Sequence, residues 1–215
     1  MKYLLSSTLL MLFLTISQSA SAQDAGKNSS QRTDKLYTMS GLGMSFPIGE
    51  TNDYFKPKIS TTVGINLGLG NGGLFLYPKV SLHAYKFDEQ VTDPGYQTAI
   101  KSGRSTTYLL NLGLGYRKML NKFSYYGFAG LGGGIILTPR VTHDNNAGTA
   151  TLDNKSNNLF MAEAGLGIEY NIGGASLFVE SGYMRGFKDI QSRNFSSVPI
   201  SLGIKPNLSK IFNKK

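Results

Sequence analysis

The sequence contains no cysteine and no tryptophan, and it has only two histidines. Without cysteine the chain can form neither a disulfide bond nor a thiolate metal site. Two histidines leave few candidates for catalysis, and His143 beside Asp144 offers too few ligands for a specific metal site. We therefore predict that the chain has no catalytic residues, no metal and no cofactor.

A single long apolar run stands at the N-terminus. Lys2 precedes an almost entirely apolar stretch over 3–16, and Ala20-Ser21-Ala22 follows it as a small-residue cleavage site. This order is typical of a secretory signal peptide. We expect residues 1–22 to be removed, so that the mature protein begins at Gln23, and the remainder suits one all-β domain.

The formal net charge is +9, which raises the question of nucleic-acid binding. The basic residues do not form one cluster, and several lie near the two ends, such as Lys27, Arg32, Lys214 and Lys215. Solvated tails near an anionic lipid surface explain them better, so we expect no nucleic-acid partner.

Strict alternation of apolar and polar residues dominates the chain from Leu36 onward. Between Thr106 and Lys118, for example, leucines and tyrosines occupy one face and small or polar residues occupy the other. Alternation with a period of two indicates β-strands. A Gly-Leu-Gly repeat accompanies it at 41–43, 68–70, 113–115, 130–132 and 165–167, with leucine on the apolar face and glycine on the other. Such glycines suit strands that curve around a narrow interior.

Eight segments show this pattern. They span 36–46, 58–69, 74–87, 105–120, 123–138, 158–171, 175–187 and 197–208. Tight turns at 70–73, 121–122 and 172–174 alternate with longer polar connections at 47–57, 88–104, 139–157 and 188–196. This layout predicts an all-β, eight-stranded antiparallel up-and-down transmembrane β-barrel with short periplasmic turns and longer extracellular loops. The domain assignment is then a periplasmic N-terminal segment at 23–35, the barrel at 36–208 and a basic C-terminal tail at 209–215.

Two strands fit this pattern less well. Pro78 interrupts the third strand, which predicts a β-bulge or a later start for that strand. In the fifth strand, Tyr125, Tyr126 and Phe128 cannot all face the same side, so the phase of 123–138 stays open.

The apolar face could point inward, as in a soluble lipocalin, or outward towards lipid. Tyr108 and Tyr116 bracket an apolar face of nine residues, and Phe160 and Tyr170 bracket one of eleven. These lengths and the aromatic ends fit strands that span a membrane. We therefore favour the outward orientation and a location in the bacterial outer membrane.

With these features the chain resembles the eight-stranded outer-membrane family typified by the OmpA transmembrane domain and OmpX, and the glycine-rich barrels of Bacteroidota. The resemblance covers about 36–208 and depends on segments such as LNLGLGY (110–116), GINLGLG (64–70) and AGLGIEY (164–170). It implies architecture rather than activity, because members include adhesion and structural proteins as well as a few lipid-modifying enzymes. The usual terminal aromatic is missing, since the chain ends Phe212-Asn213-Lys214-Lys215.

Six charged residues fall on the face opposite the apolar one. An eight-stranded barrel is just wide enough for side chains to fill it, so we expect these charges to pair in the lumen as a structural network. The predicted members are Lys79, Arg117, Glu163, Glu169, Glu180 and Lys205.

The expected role is that of a non-enzymatic, monomeric structural or surface-interaction protein, closed to general diffusion. Its partners would be outer-membrane lipid and a protein or surface bound through loops 139–157 and 88–104. A lipid-modifying enzyme or a small-ligand binder is the alternative, for which Ser81 and His83 are the one serine-histidine pair on a strand face, and both would face the lumen.

Overall fold

A computed structural model describes residues 36–70, 72–88, 100, 102–144, 149–190 and 193–209. Eight strands form a closed barrel in which each strand is hydrogen-bonded to its neighbours in chain order, and β8 pairs with β1. The strands are β1 (Leu36–Pro47), β2 (Phe55–Gly68), β3 (Leu74–Phe87), β4 (Gly103–Leu120), β5 (Phe123–Asp144), β6 (Thr149–Asn171), β7 (Ala175–Ile190) and β8 (Arg193–Pro206). The fold class is therefore the predicted one. The predicted signal peptide and the segment 23–35 lie outside the described residues.

The apolar alternation places its large side chains on the outer wall. Leu110, Leu112 and Leu114 of β4 are more than half exposed, whereas Leu109 and Asn111 are buried inside. The same arrangement holds in β6, where Phe160 and Leu166 lie outside and Glu163 and Glu169 lie inside. The barrel thus has an apolar exterior and a mixed interior, the reverse of a soluble globular protein.

The three predicted tight turns are present at one end of the barrel, which we call the turn end. Gly73, Asn121 and Gly173 in these turns adopt positive φ angles of 84°, 55° and 111°. Such angles cost little for glycine and are tolerated by asparagine, which explains these residue types. The opposite end is the loop end. Among the described residues, no helix is long and apolar enough to span a membrane.

Several boundaries at the loop end differ from the prediction. β5 and β6 continue past 138 and before 158, pairing from Leu137↔Ser156 to Asp144↔Thr149. The predicted loop 139–157 is therefore mostly a β-hairpin, and only 145–148 lie outside the description. The connection predicted at 188–196 is also shorter, because β7 reaches Ile190 and β8 begins at Arg193. Most of the predicted loop 88–104 lies outside the described residues.

The prediction of a bulge at Pro78 is wrong. Pro78 pairs in regular register with Leu112, and β3 begins at Leu74 as expected. The register shift occurs instead in β2, between Pro57 and Ser60. It changes the phase of β2, so that both Phe55 and Ser60 point inward and are buried.

The phase of β5 follows from its burial pattern. Ser124, Tyr126 and Phe128 are buried in the interior, whereas Phe123 and Tyr125 are exposed on the outer wall. This arrangement sends two large rings into a lumen that is just wide enough for side chains.

Candidate functional site

The barrel interior is the candidate site, and it contains two clusters of buried apolar and aromatic residues. At the loop end, twelve buried residues form an apolar plug: Tyr54, Phe55, Tyr85, Phe87, Ile100, Leu109, Ile136, Leu159, Met161, Met184, Ile190 and Phe195. At the turn end, a second cluster contains Met39, Phe75, Tyr77, Tyr126, Phe128 and Phe178. The charged residues lie among the rings of this second cluster.

Glycines make room for those rings. Phe75, Phe128 and Tyr126 of neighbouring strands pair directly with Gly115, Gly165 and Gly167 respectively. A Cβ atom added at any of the three glycines would meet the opposite ring too closely. In the copies at 113–115 and 165–167, the Gly-Leu-Gly repeat therefore places leucine on the outer wall and leaves space inside for aromatic rings of an adjacent strand.

Three of the six predicted charges meet near the turn end, in what we call the lower charge cluster. The Nζ atom of Lys205 lies 2.8 Å from Oε1 of Glu169, and a guanidinium nitrogen of Arg117 lies 3.2 Å from the same oxygen. Arg117 also donates to Oδ1 of Asn66 at 2.7 Å. All of these side chains are buried, and Nζ of Lys205 lies 3.9 Å from the centroid of the Tyr126 ring. Such a cation–π contact adds to the stabilisation of a desolvated cation.

The other three predicted charges form the upper charge cluster. Nζ of Lys79 lies 2.5 Å from Glu163 and 3.5 Å from Glu180. Asn111 donates to the second oxygen of Glu163 at 2.5 Å, and Tyr126 donates to Glu180 at 2.6 Å.

The two clusters balance each other electrically, because the lower has two cations and one glutamate and the upper has one cation and two glutamates. A buried charge is tolerated when it is paired and hydrogen-bonded, and each of the six has a partner of opposite sign within 3.5 Å. The structure therefore brings all six sequence-predicted residues into the lumen.

Sequence reasoning missed the neutral members of these clusters. Tyr77 donates to Glu180 at 3.1 Å, Asn66 accepts a hydrogen bond from Arg117, and Asn111 donates one to Glu163. The alternation pattern places Tyr77 on the same face as Lys79, and Asn111 on the same face as Arg117. It could therefore have predicted that both side chains point into the lumen. Their partners lie across the lumen on distant strands, and no local pattern specifies such contacts.

A small polar cavity lies between the upper charge cluster and the apolar plug. It is lined by residues that include Thr62, Ser81, His83 and Ser201, and it has room for about one water molecule. Ser81 Oγ lies 3.3 Å from the Thr62 hydroxyl. Neither ring nitrogen of His83 has a hydrogen-bond partner in the described part of the chain. Ser81 and His83 thus face the lumen and are not hydrogen-bonded to each other.

Comparison with known proteins identifies the family of this barrel. The family model of the outer membrane protein beta-barrel domain matches residues 24–192, well over half of the chain. The chain belongs to this family. Its location is accordingly the outer membrane, and its apolar exterior faces lipid. No curated protein matched the sequence.

Two solved structures are similar to this barrel to different degrees. Neisserial surface protein A is 12% identical over 80% of this chain and 96% of its own, with a TM-score of 0.55. The N-terminal β-barrel domain of Pseudomonas aeruginosa OprF is 10% identical over 80% of this chain and 97% of its own, with a TM-score of 0.44. At such low identity, the likeness to neisserial surface protein A shows a shared fold alone.

Proposed function

We propose that this member of the family is a non-enzymatic barrel, closed to diffusion, that presents a rigid hairpin at the cell surface. The buried side chains of the lumen support the first half of the proposal. The apolar plug and the two charge clusters occupy successive heights of an interior that is just wide enough for side chains. A general pore would instead need an open polar lumen.

The projecting hairpin carries the second half of the proposal. It consists of 139–144 and 149–157, and within the described residues neither stretch pairs with β4 or β7, since β4 pairs with β5 no further than Leu137 and β7 pairs with β6 only from Met161. Six of its consecutive residues are exposed, from Thr151 to Ser156, and Leu152 is 66% exposed. A two-stranded ribbon at the surface end of a rigid scaffold suits partner binding.

Conductance measurements in planar bilayers test whether the barrel is closed to diffusion. The refolded wild-type protein is expected to give no stable channels. The variant Phe55→Ala/Tyr85→Ala/Tyr126→Ala/Phe128→Ala removes two rings from the apolar plug and two from the turn-end cluster, and serves as a positive control that raises conductance. Large, long-lived wild-type channels would contradict the proposal.

Deletion of the hairpin tests whether the hairpin binds partners at the cell surface. Joining Thr138 to Lys155 through an Asn-Gly turn removes the ribbon beyond the barrel rim and leaves the barrel ladder intact. Surface partners captured by the wild type should be lost by this variant, whereas both proteins should show the same heat-dependent gel mobility. Equal capture by both would contradict a role for the hairpin.

A further inference from the structure

Three cations lie side by side on the outer wall near the loop end. In the strand register Lys56 of β2 is directly opposite Lys86 of β3, and Lys86 is directly opposite Arg104 of β4. We call these three residues the outer basic row. Directly opposite residues share a face, and the neighbours of Lys86, Tyr85 and Phe87, are fully buried inside, so the row points outward.

The juxtaposition is unfavourable without a counter-charge. Opposite Cβ atoms on adjacent strands are about 5 Å apart, and like charges in such pairs destabilise a sheet. Lys58 is exposed two residues from Lys56 and adds a fourth cation. In the described part of the chain, the one carboxylate within ion-pair distance of these residues is Asp88, at 3.6 Å from Lys86, while Nζ of Lys56 donates to the uncharged backbone oxygen of Asn52 at 2.8 Å.

The height of the row favours a ligand from the membrane. Arg104 lies four residues beyond Tyr108, the upper aromatic end of the lipid-facing stretch of β4, which is about 13 Å along the strand. Strands of these barrels are tilted by about 40°, so the row lies about 10 Å above the aromatic belt, at the level of the polar head groups.

We propose that the outer basic row binds a phosphate group of a phosphorylated lipid in the outer leaflet. Lysine supplies a point charge and arginine can supply two parallel hydrogen bonds to phosphate oxygens, so the row matches one phosphate group on an anchored lipid. The lipid's acyl chains would pack on the apolar wall below, around Leu82 and Tyr108, which are paired in the same register. This site depends neither on closure of the lumen nor on the projecting hairpin.

Native mass spectrometry of the full chain in detergent tests the proposal. The protein is titrated with lipid A, a phosphorylated outer-leaflet glycolipid, and with the same lipid after enzymatic removal of its phosphates. Wild-type protein should retain the phosphorylated form and bind the dephosphorylated form much more weakly. Equal binding of the two forms would overturn the proposal.

Matched double variants locate the site. Lys86→Gln/Arg104→Gln should weaken binding of lipid A about 30-fold, because each cation near a lipid head group contributes about 1 kcal/mol. Lys118→Gln/Lys122→Gln removes the same charge from exposed positions at the turn end and should leave binding unchanged. Equal weakening by both variants would assign the effect to net charge and overturn the site.

Two further measurements keep the test decisive. If the double variant does not fold, Arg104→Gln alone should weaken binding about fivefold, and unchanged binding would overturn the proposal. Millimolar inorganic phosphate should leave the lipid bound. Complete displacement would assign the row to a soluble anion and overturn the lipid as its ligand.

Discussion

Glu169 and Lys205 lie on strands that are not neighbours, yet Nζ of Lys205 is 2.8 Å from Oε1 of Glu169 across the lumen. The same oxygen accepts a hydrogen bond from Arg117, so one buried carboxylate serves two cations. Loss of Glu169 leaves both cations without a carboxylate, whereas loss of Arg117 leaves Glu169 paired with Lys205. The two losses should therefore differ in their effect on stability.

We expect Glu169→Met to lower the free energy of unfolding by about 3–5 kcal/mol, and Arg117→Met to lower it by less. Urea-induced unfolding in lipid vesicles measures both variants and the double variant. Glu169→Met leaves the buried charge of Arg117 unpaired, and the added Arg117→Met removes that charge and its penalty. The double variant should therefore lose less stability than the sum of the two single losses. Simple additivity would show that Arg117 and Glu169 do not interact directly.

The upper charge cluster has the opposite arrangement, with one cation between two carboxylates. Lys79→Met should cost about 3–5 kcal/mol, because Glu163 and Glu180 then share a desolvated site without their cation. Adding Glu163→Met should recover part of that loss. Lys118→Met, at an exposed position, should change stability by no more than about 0.5 kcal/mol. No recovery in the double variant would argue against the direct pair between Lys79 and Glu163.

The glycines that face aromatic rings give a third prediction. Gly165→Ala places a Cβ atom 2.6 Å from the ring of Phe128, so the ring must shift, and overpacking of this kind costs about 1–3 kcal/mol. Gly174→Ala is the matched control, because its Cβ would meet nothing within 4 Å and its φ angle is not positive. The same unfolding measurement should separate the two variants. Equal stabilities would show that the lumen tolerates extra volume beside Phe128.

The sequence was sufficient to predict the strand order and the orientation of most strands. Alternation in β4 and β6 is regular enough that Leu112 and Glu163 could be assigned to opposite faces, and the structure has them there. Closure of the barrel followed from the count of strands and from the alternation of short and long connections. These signals are local, because each strand shows the alternation within its own residues.

The differences arise where local signals are weak. The β6 side of the outer β5–β6 hairpin consists of exposed polar residues such as Thr151, Asn154 and Ser156, which resemble a loop in composition. Only Val141 of β5 packs against the apolar plug among the described residues of this hairpin, which is too weak a signal to predict a strand. Pro78 suggested a bulge because proline lacks an N–H donor, yet the strand keeps its register there. The phase change in β2 brings Phe55 into the apolar plug. Pro57 stands at this shift, but the prediction placed it in the connection 47–57 and so could not use it.

The lipid-facing band gives the last prediction. Leu112 lies midway between Tyr108 and Tyr116 on the outer wall of β4 and is 56% exposed, which places it near the middle of the bilayer. An arginine there must be held in hydrocarbon, and arginine or lysine at the midplane of such barrels costs about 2–4 kcal/mol.

Leu152 is similarly exposed, at 66%, but it lies on the projecting hairpin beyond the barrel rim. We therefore expect Leu112→Arg to lower the free energy of unfolding in lipid vesicles by that amount and to impair heat-dependent gel mobility, whereas Leu152→Arg should change stability by no more than about 0.5 kcal/mol. A large loss from Leu152→Arg would show that the hairpin packs against lipid or another apolar surface, and a negligible loss from Leu112→Arg would contradict a central membrane position for the β4 leucines.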